Sequence, residues 1–120
     1  MARRKLTELL LERERFELSA KSGGGILSYE VWGFVEKGKT VVTRYNLAYI
    51  NPLIFSGDNG RVLGYDNAHG EHHRHYRGQV EAVDLPGYEA ALRRFQAEWQ
   101  AIARRLKAER SRVRKGRKDD

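Results

Sequence analysis

Cysteine is absent from the 120 residues. Disulfides, thiolate nucleophiles and Cys-ligated zinc or iron–sulfur centres are therefore excluded. Also missing is any apolar run near the roughly 20 residues that span a bilayer. The start, Met1-Ala2-Arg3-Arg4-Lys5-Leu6, carries positive charge, but only Leu9-Leu10-Leu11 follows before Glu12-Arg13-Glu14-Arg15. That is not a signal-peptide pattern, so the expected location is the bacterial cytoplasm, with no membrane partner. Apolar residues are few, 40% against 32% charged. A chain this short buries one modest core, covering about two thirds of its unfolded surface.

Charge is unevenly spread. The net charge is +7, the first 90 residues balance to zero, and the last 30 hold the whole excess. A basic segment of this kind implies an anionic partner such as nucleic acid, or else a solubilising tail.

Near the C-terminus, Tyr88, Leu92, Phe95, Trp99, Ile102 and Leu106 are spaced 4, 3, 4, 3, 4. This is one apolar stripe on a helix. With Pro86 in its first turn and Asp84 as a cap, the helix is predicted from about Pro86 to about Arg110. It is about 37 Å long, so its far half projects from a small sheet or pairs with a second copy in a homodimer. Residues 111–120 have no stripe and are predicted to be a basic disordered tail on a single domain of residues 1–110.

The middle is rich in branched and aromatic residues and predicts strands: Ile26–Val35, then Thr40–Ile50 after the turn Glu36-Lys37-Gly38-Lys39, then Arg61–Asp66. A fourth, around Leu11–Leu18, competes with a short helix. The expected fold is α+β, an antiparallel meander of three to four strands packed by a long C-terminal helix. By alternation, Val41, Thr43, Tyr45, Leu47 and Tyr49 share the face toward the helix, with Arg44 and Asn46 on the open face.

The most unusual stretch is Tyr65-Asp66-Asn67-Ala68-His69-Gly70-Glu71-His72-His73-Arg74-His75-Tyr76, which holds all four histidines. Read as a loop after a strand, it allows three chemistries. One is acid–base catalysis on a phosphodiester, with imidazoles exchanging protons and Arg74, Arg44 and Arg77 holding phosphate oxygens. Tyr65, Tyr45 and Tyr76 would then stack bases or orient them. The second is a metal site from the histidines and Asp66, although their spacing matches no helical His-Glu-x-x-His pattern. The third is structural: Asp66 and Asn67 shape a turn and the histidines line a polar surface.

Arg44-Tyr45-Asn46-Leu47-Ala48-Tyr49, Gly64-Tyr65-Asp66-Asn67 and His72-His73-Arg74-His75, in this order over residues 40–78, resemble the TumE family of bacterial toxin–antitoxin toxins. The resemblance implies a cognate antitoxin, often a helix-turn-helix protein. It implies no active site.

A metal-independent ribonuclease, with no cofactor, is instead expected from the residues themselves. His73 and His75 serve as base and acid, in either order, Arg74 and Arg44 neutralise the phosphorane, Asp66 fixes an imidazole tautomer, and Tyr65 or Tyr45 orients substrate. Tyr45, His72, Tyr76 and Arg77 add RNA contacts, as do Arg104, Arg105, Arg112, Arg114 and Lys115. The alternative is a non-catalytic nucleic-acid-binding module that uses the basic helix and tail.

Overall fold

The computed structural model describes residues 7–117. Among them, six strands form one sheet: β1 (Leu9–Glu17), β2 (Ile26–Glu36), β3 (Lys39–Ile50), β4 (Arg61–Asp66), β5 (His73–Tyr76) and β6 (Gln79–Ala82). One helix follows, α1 (Tyr88–Arg117). Strand order equals chain order and every neighbouring pair is antiparallel. The α+β class, the meander and the C-terminal helix are as expected, and the first segment is a strand.

The number of strands is a correction, six in place of three to four. The histidine segment is not a loop but contains β5, which pairs Asp66 with His73 and Gly64 with His75. Its residues alternate between two half-buried faces without an apolar side, so composition alone gives no strand signal. The hairpin to β6 closes through Arg77 and Gly78 at φ 47° and 80°. Two positive φ values in a two-residue loop define a type I′ turn, whose twist suits the strands. Lys37 and Gly38, between β2 and β3, do the same at 50° and 76°.

The facing of β3 is corrected in part. Tyr45, Leu47 and Tyr49 are buried beneath the helix as expected. Thr43 is an extra residue, because Trp32 pairs with Arg44 and Gly33 with Val42. This bulge inverts the alternation beyond it. Val42 therefore packs against the core and Val41 is exposed.

The helix starts at Tyr88, after Asp84 and Pro86 rather than at them, and runs past Arg110 to Arg117. Residues 111–117, expected to be disordered, continue it. Arg, Lys and Glu are good helix formers and sustain a helix without a buried stripe. Residues 118–120 lie outside the described chain. Phe95 is fully buried and meets Tyr29 and Tyr65 edge-on, at 5.7 and 6.5 Å between ring centroids. Ala103 is the last buried helix residue among those described. Gly23 lies against it, and a Cβ there would be 2.8 Å from that of Ala103.

Candidate functional site

Alternation along β4 and β5 sorts the candidate residues onto two faces. Tyr65, Arg74 and Tyr76 lie on the face under the helix. Asp66, His73 and His75 lie on the open face. The expected triplet His73-Arg74-His75 is thus divided by the sheet itself. A strand sends neighbouring side chains to opposite sides, so Arg74 cannot hold a phosphate between these two imidazoles.

On the helix side Arg74 is committed to packing. Its NH2 lies 2.5 Å and its Nε 2.9 Å from Glu98 Oε2, and its NH1 lies 3.2 Å from Glu81. The hydroxyl of Tyr65 also donates to Glu98. Burial alone would raise the Glu98 carboxyl, but hydrogen bonds from Arg74 and Tyr65 outweigh it and hold the carboxyl below its usual range. Burial, then the bond to Glu98, pushes the Tyr65 hydroxyl up to about 12. Tyr65 is fully buried and clamps the helix to the sheet rather than orienting substrate.

Tyr45, expected to stack on RNA, is only 1% exposed. Its hydroxyl is raised above the ordinary range by burial and then by Asp66. It therefore stays protonated, and it is hydrogen-bonded with His72 Nδ1, 2.6 Å away. The two rings stack at 5.7 Å, and Tyr88 packs against Tyr45 at 5.2 Å.

The open face gathers an array that includes a residue the sequence did not single out. Asp66 Oδ2 is 2.5 Å from His75 Nε2, and Asp66 Oδ1 is 3.4 Å from His73 Nδ1. Arg61 NH2 lies 3.1 Å from His75 Nδ1, and Arg61 Nε donates to Asp58 at 2.8 Å. A guanidinium only donates. His75 Nδ1 therefore accepts, and the ring proton sits on Nε2 facing Asp66. His73 is held more loosely, with Nε2 3.7 Å from Glu71. The side chains of His75 and His73 are 15% and 21% exposed.

The signal for Arg61 was faint: Asp58 three residues before it, and Gly64 after it. A Cβ at Gly64 would come within 2.9 Å of Arg61 Cδ, so the bare backbone lets the arginine lie across toward His75. Glu98 had a plainer signal. It sits among Phe95, Trp99 and Ile102 on the apolar stripe, where a carboxylate needs a partner.

Arg44 is on the open face but is occupied. It donates to Glu8 Oε1 at 2.9 and 3.1 Å and lies 4.4 Å above the Trp32 ring. Tyr76 is half-buried between Arg74 and Arg77. Arg104, Arg105 and Arg112 are exposed on the far half of the helix. The side chains of Arg114 and Lys115 lie outside the described residues. Among the described residues, no three His, Asp or Glu side chains are grouped to hold a metal ion, and no helix is long and apolar enough to cross a membrane.

A six-stranded meander under a single long helix, with a carboxylate bridging two imidazoles on the bare face, defines a small α+β protein with acid–base potential. Residues 9–106 match the family model described as Toxin TumE, and the chain belongs to that family. It is thus the toxin of a toxin–antitoxin system, and its partner is a cognate antitoxin. No curated protein and no solved structure matches it.

Proposed function

We propose that this toxin is a ribonuclease that cleaves phosphodiesters without a metal, on the open face of the sheet. The observation that carries the reading is Asp66 bridging His75 and His73, with Arg61 on the far nitrogen of His75. A phosphate that engages Arg61 draws its NH2 away from His75 and frees Nδ1 as a base. That nitrogen takes the 2′-hydroxyl proton as the 2′-oxygen attacks phosphorus. The bond to the 5′-oxygen breaks, and His73 supplies the proton that the leaving oxygen needs. The products are a 2′,3′-cyclic phosphate and a 5′-hydroxyl. Arg61 takes the phosphate-neutralising role expected of Arg74.

The test is incubation with labelled RNA, with and without EDTA. Cleavage leaving 5′-hydroxyl ends is expected to survive EDTA. His73→Gln and His75→Gln should each reduce it by about 10²-fold or more, the scale of lost acid–base catalysis, with an unchanged circular dichroism spectrum. Full activity in the folded double variant, or activity abolished by EDTA, would overturn the reading.

A second reading, RNA binding without cleavage, is favoured by one observation. Beyond Ala103 the helix exposes Arg104, Arg105, Lys107 and Arg112. In that case both histidine variants shift RNA as the wild type does, and none cuts it.

A further inference from the structure

The register of the meander lines up small residues across the open face. Ser28 pairs with Ala48, Ala48 with Gly64, and Gly64 with His75. On the other side Ser28 pairs with Arg15 of β1. A lane with almost no side-chain height thus runs perpendicular to the strands, from Arg15 at the sheet edge to Ala48, and beyond it the Arg61 side chain lies over Gly64 toward His75. It forms part of a groove of about 300 Å³ walled by Glu30, Asn46, Asp58 and Arg61. Its flanking rows lie two residues away on each side, about 13 Å apart at the rise of a strand.

The lane is bordered by guanidiniums. Arg15 makes no ion pair among the described residues. Arg13 pairs with Glu30 at 2.8 Å, but its side chain is 60% exposed, and such surface pairs yield readily to a competing anion. Arg61 stands over the inner end. Trp32 is half-buried on the same face, and the side chain of Arg44 lies across its ring. The two carboxylates on the wall, Glu30 and Asp58, pair with two of these arginines, Arg13 and Arg61.

We infer that this lane seats a single strand of RNA, with backbone phosphates on Arg15, Arg13 and Arg61 and a base stacked on Trp32 in place of Arg44. The inference rests on the ribonuclease reading and names its substrate class. A lane of this width takes one backbone and not two. Stacking on an aromatic ring also needs a base turned out of any helix, which is how single-stranded RNA is recognised. The lane ends at Arg61, whose far end lies against His75, so a strand lying in it brings a phosphate to that arginine.

The experiment uses the full chain in a His73→Gln background, which is catalytically silent, and follows tryptophan fluorescence. Trp32→Phe serves as the blank that removes the Trp99 signal. A short mixed-sequence single-stranded RNA is expected to quench Trp32, and a duplex of the same sequence is not. Trp32→Ala should weaken binding by roughly 5- to 100-fold, the range for removing one stacked aromatic. Ser28→Glu, at a half-exposed strand position that tolerates the change, should weaken it at least as much by placing a carboxylate in the lane. Ala48→Leu is a second block, used if Ser28→Glu alters the far-ultraviolet spectrum.

Quenching by RNA with no cleavage in any active form keeps the lane and removes the ribonuclease. Cleavage that Trp32→Ala and Ser28→Glu leave unchanged removes the lane and keeps the ribonuclease. Equal quenching by duplex, or a Trp32 response to the antitoxin and none to RNA, also overturns the lane.

Discussion

Gly64 offers no side chain, yet the arrangement around Asp66 depends on it. A methyl group there would stand 2.9 Å from Arg61 Cδ and 3.3 Å from the Leu47 carbonyl oxygen. Gly64→Ala should lift Arg61 off His75 while the strand survives. The expected result is about a tenfold loss of RNA cleavage, the scale of one charge-assisted hydrogen bond. The ring-nitrogen chemical shifts of His75 should move from one tautomer toward a mixture. Unchanged shifts with lost activity would place the effect elsewhere. On the opposite face Glu98→Gln should cost roughly 1–3 kcal/mol, since Arg74 and Tyr65 lose a charged partner. It should also change the acid limb of stability. The Glu98 carboxyl is held below its unfolded value. Its contribution is therefore complete above the ordinary carboxylate range and is lost as pH falls through the depressed folded value. Thermal melts of the two proteins from pH 7 to pH 3 should converge.

At the scale of elements, the helix divides at Ala103. Phe95→Ala should cost about 3–5 kcal/mol in urea melts, because a fully buried ring leaves a cavity between Tyr29 and Tyr65. Deleting residues 107–120 should change stability by no more than about 0.5 kcal/mol, because none of its described residues is buried. The same deletion should flatten the salt dependence of RNA binding. On a single strand the log–log slope shrinks by about 0.7 for each phosphate that is no longer neutralised. A filter-binding series in rising salt checks it. The same division explains what could be read from the sequence. The stripe from Tyr88 to Ile102 and the alternation in β2, β3 and β4 are apolar patterns, and they were legible. β5 and β6 bury no continuous apolar side and are held by backbone pairing and an Arg77-Gly78 turn, so nothing in their composition announced them. The bulge at Thr43 was equally silent, because one extra residue leaves composition unchanged. The histidines and Asp66 stood out by clustering. Which of them meet, and that Arg74 turns away, followed only from knowing that they form a strand.

For the whole molecule, the sheet has two faces of opposite chemistry. The covered face and the helix over it hold four tyrosines whose hydroxyls are shifted upward, Tyr29, Tyr45, Tyr65 and Tyr88, chiefly by burial. A raised folded value means their contribution is complete below the ordinary tyrosine value near 10 and is lost as pH rises from there through about 12 for Tyr65 and Tyr88. In alkaline titration at 295 nm, these four should ionise late and together with unfolding. Gradual ionisation in a still-folded protein would contradict their burial. The helix that shields them also has a place in time. It is made after the six strands, while each strand from β2 onward pairs with the one made just before it. The sheet can therefore assemble hairpin by hairpin during synthesis. Its apolar side waits for the helix that follows. Until the helix arrives, Tyr29, Leu47 and Tyr65 stand uncovered, so a chain that stops before Tyr88 should bind a hydrophobic dye that the full chain excludes.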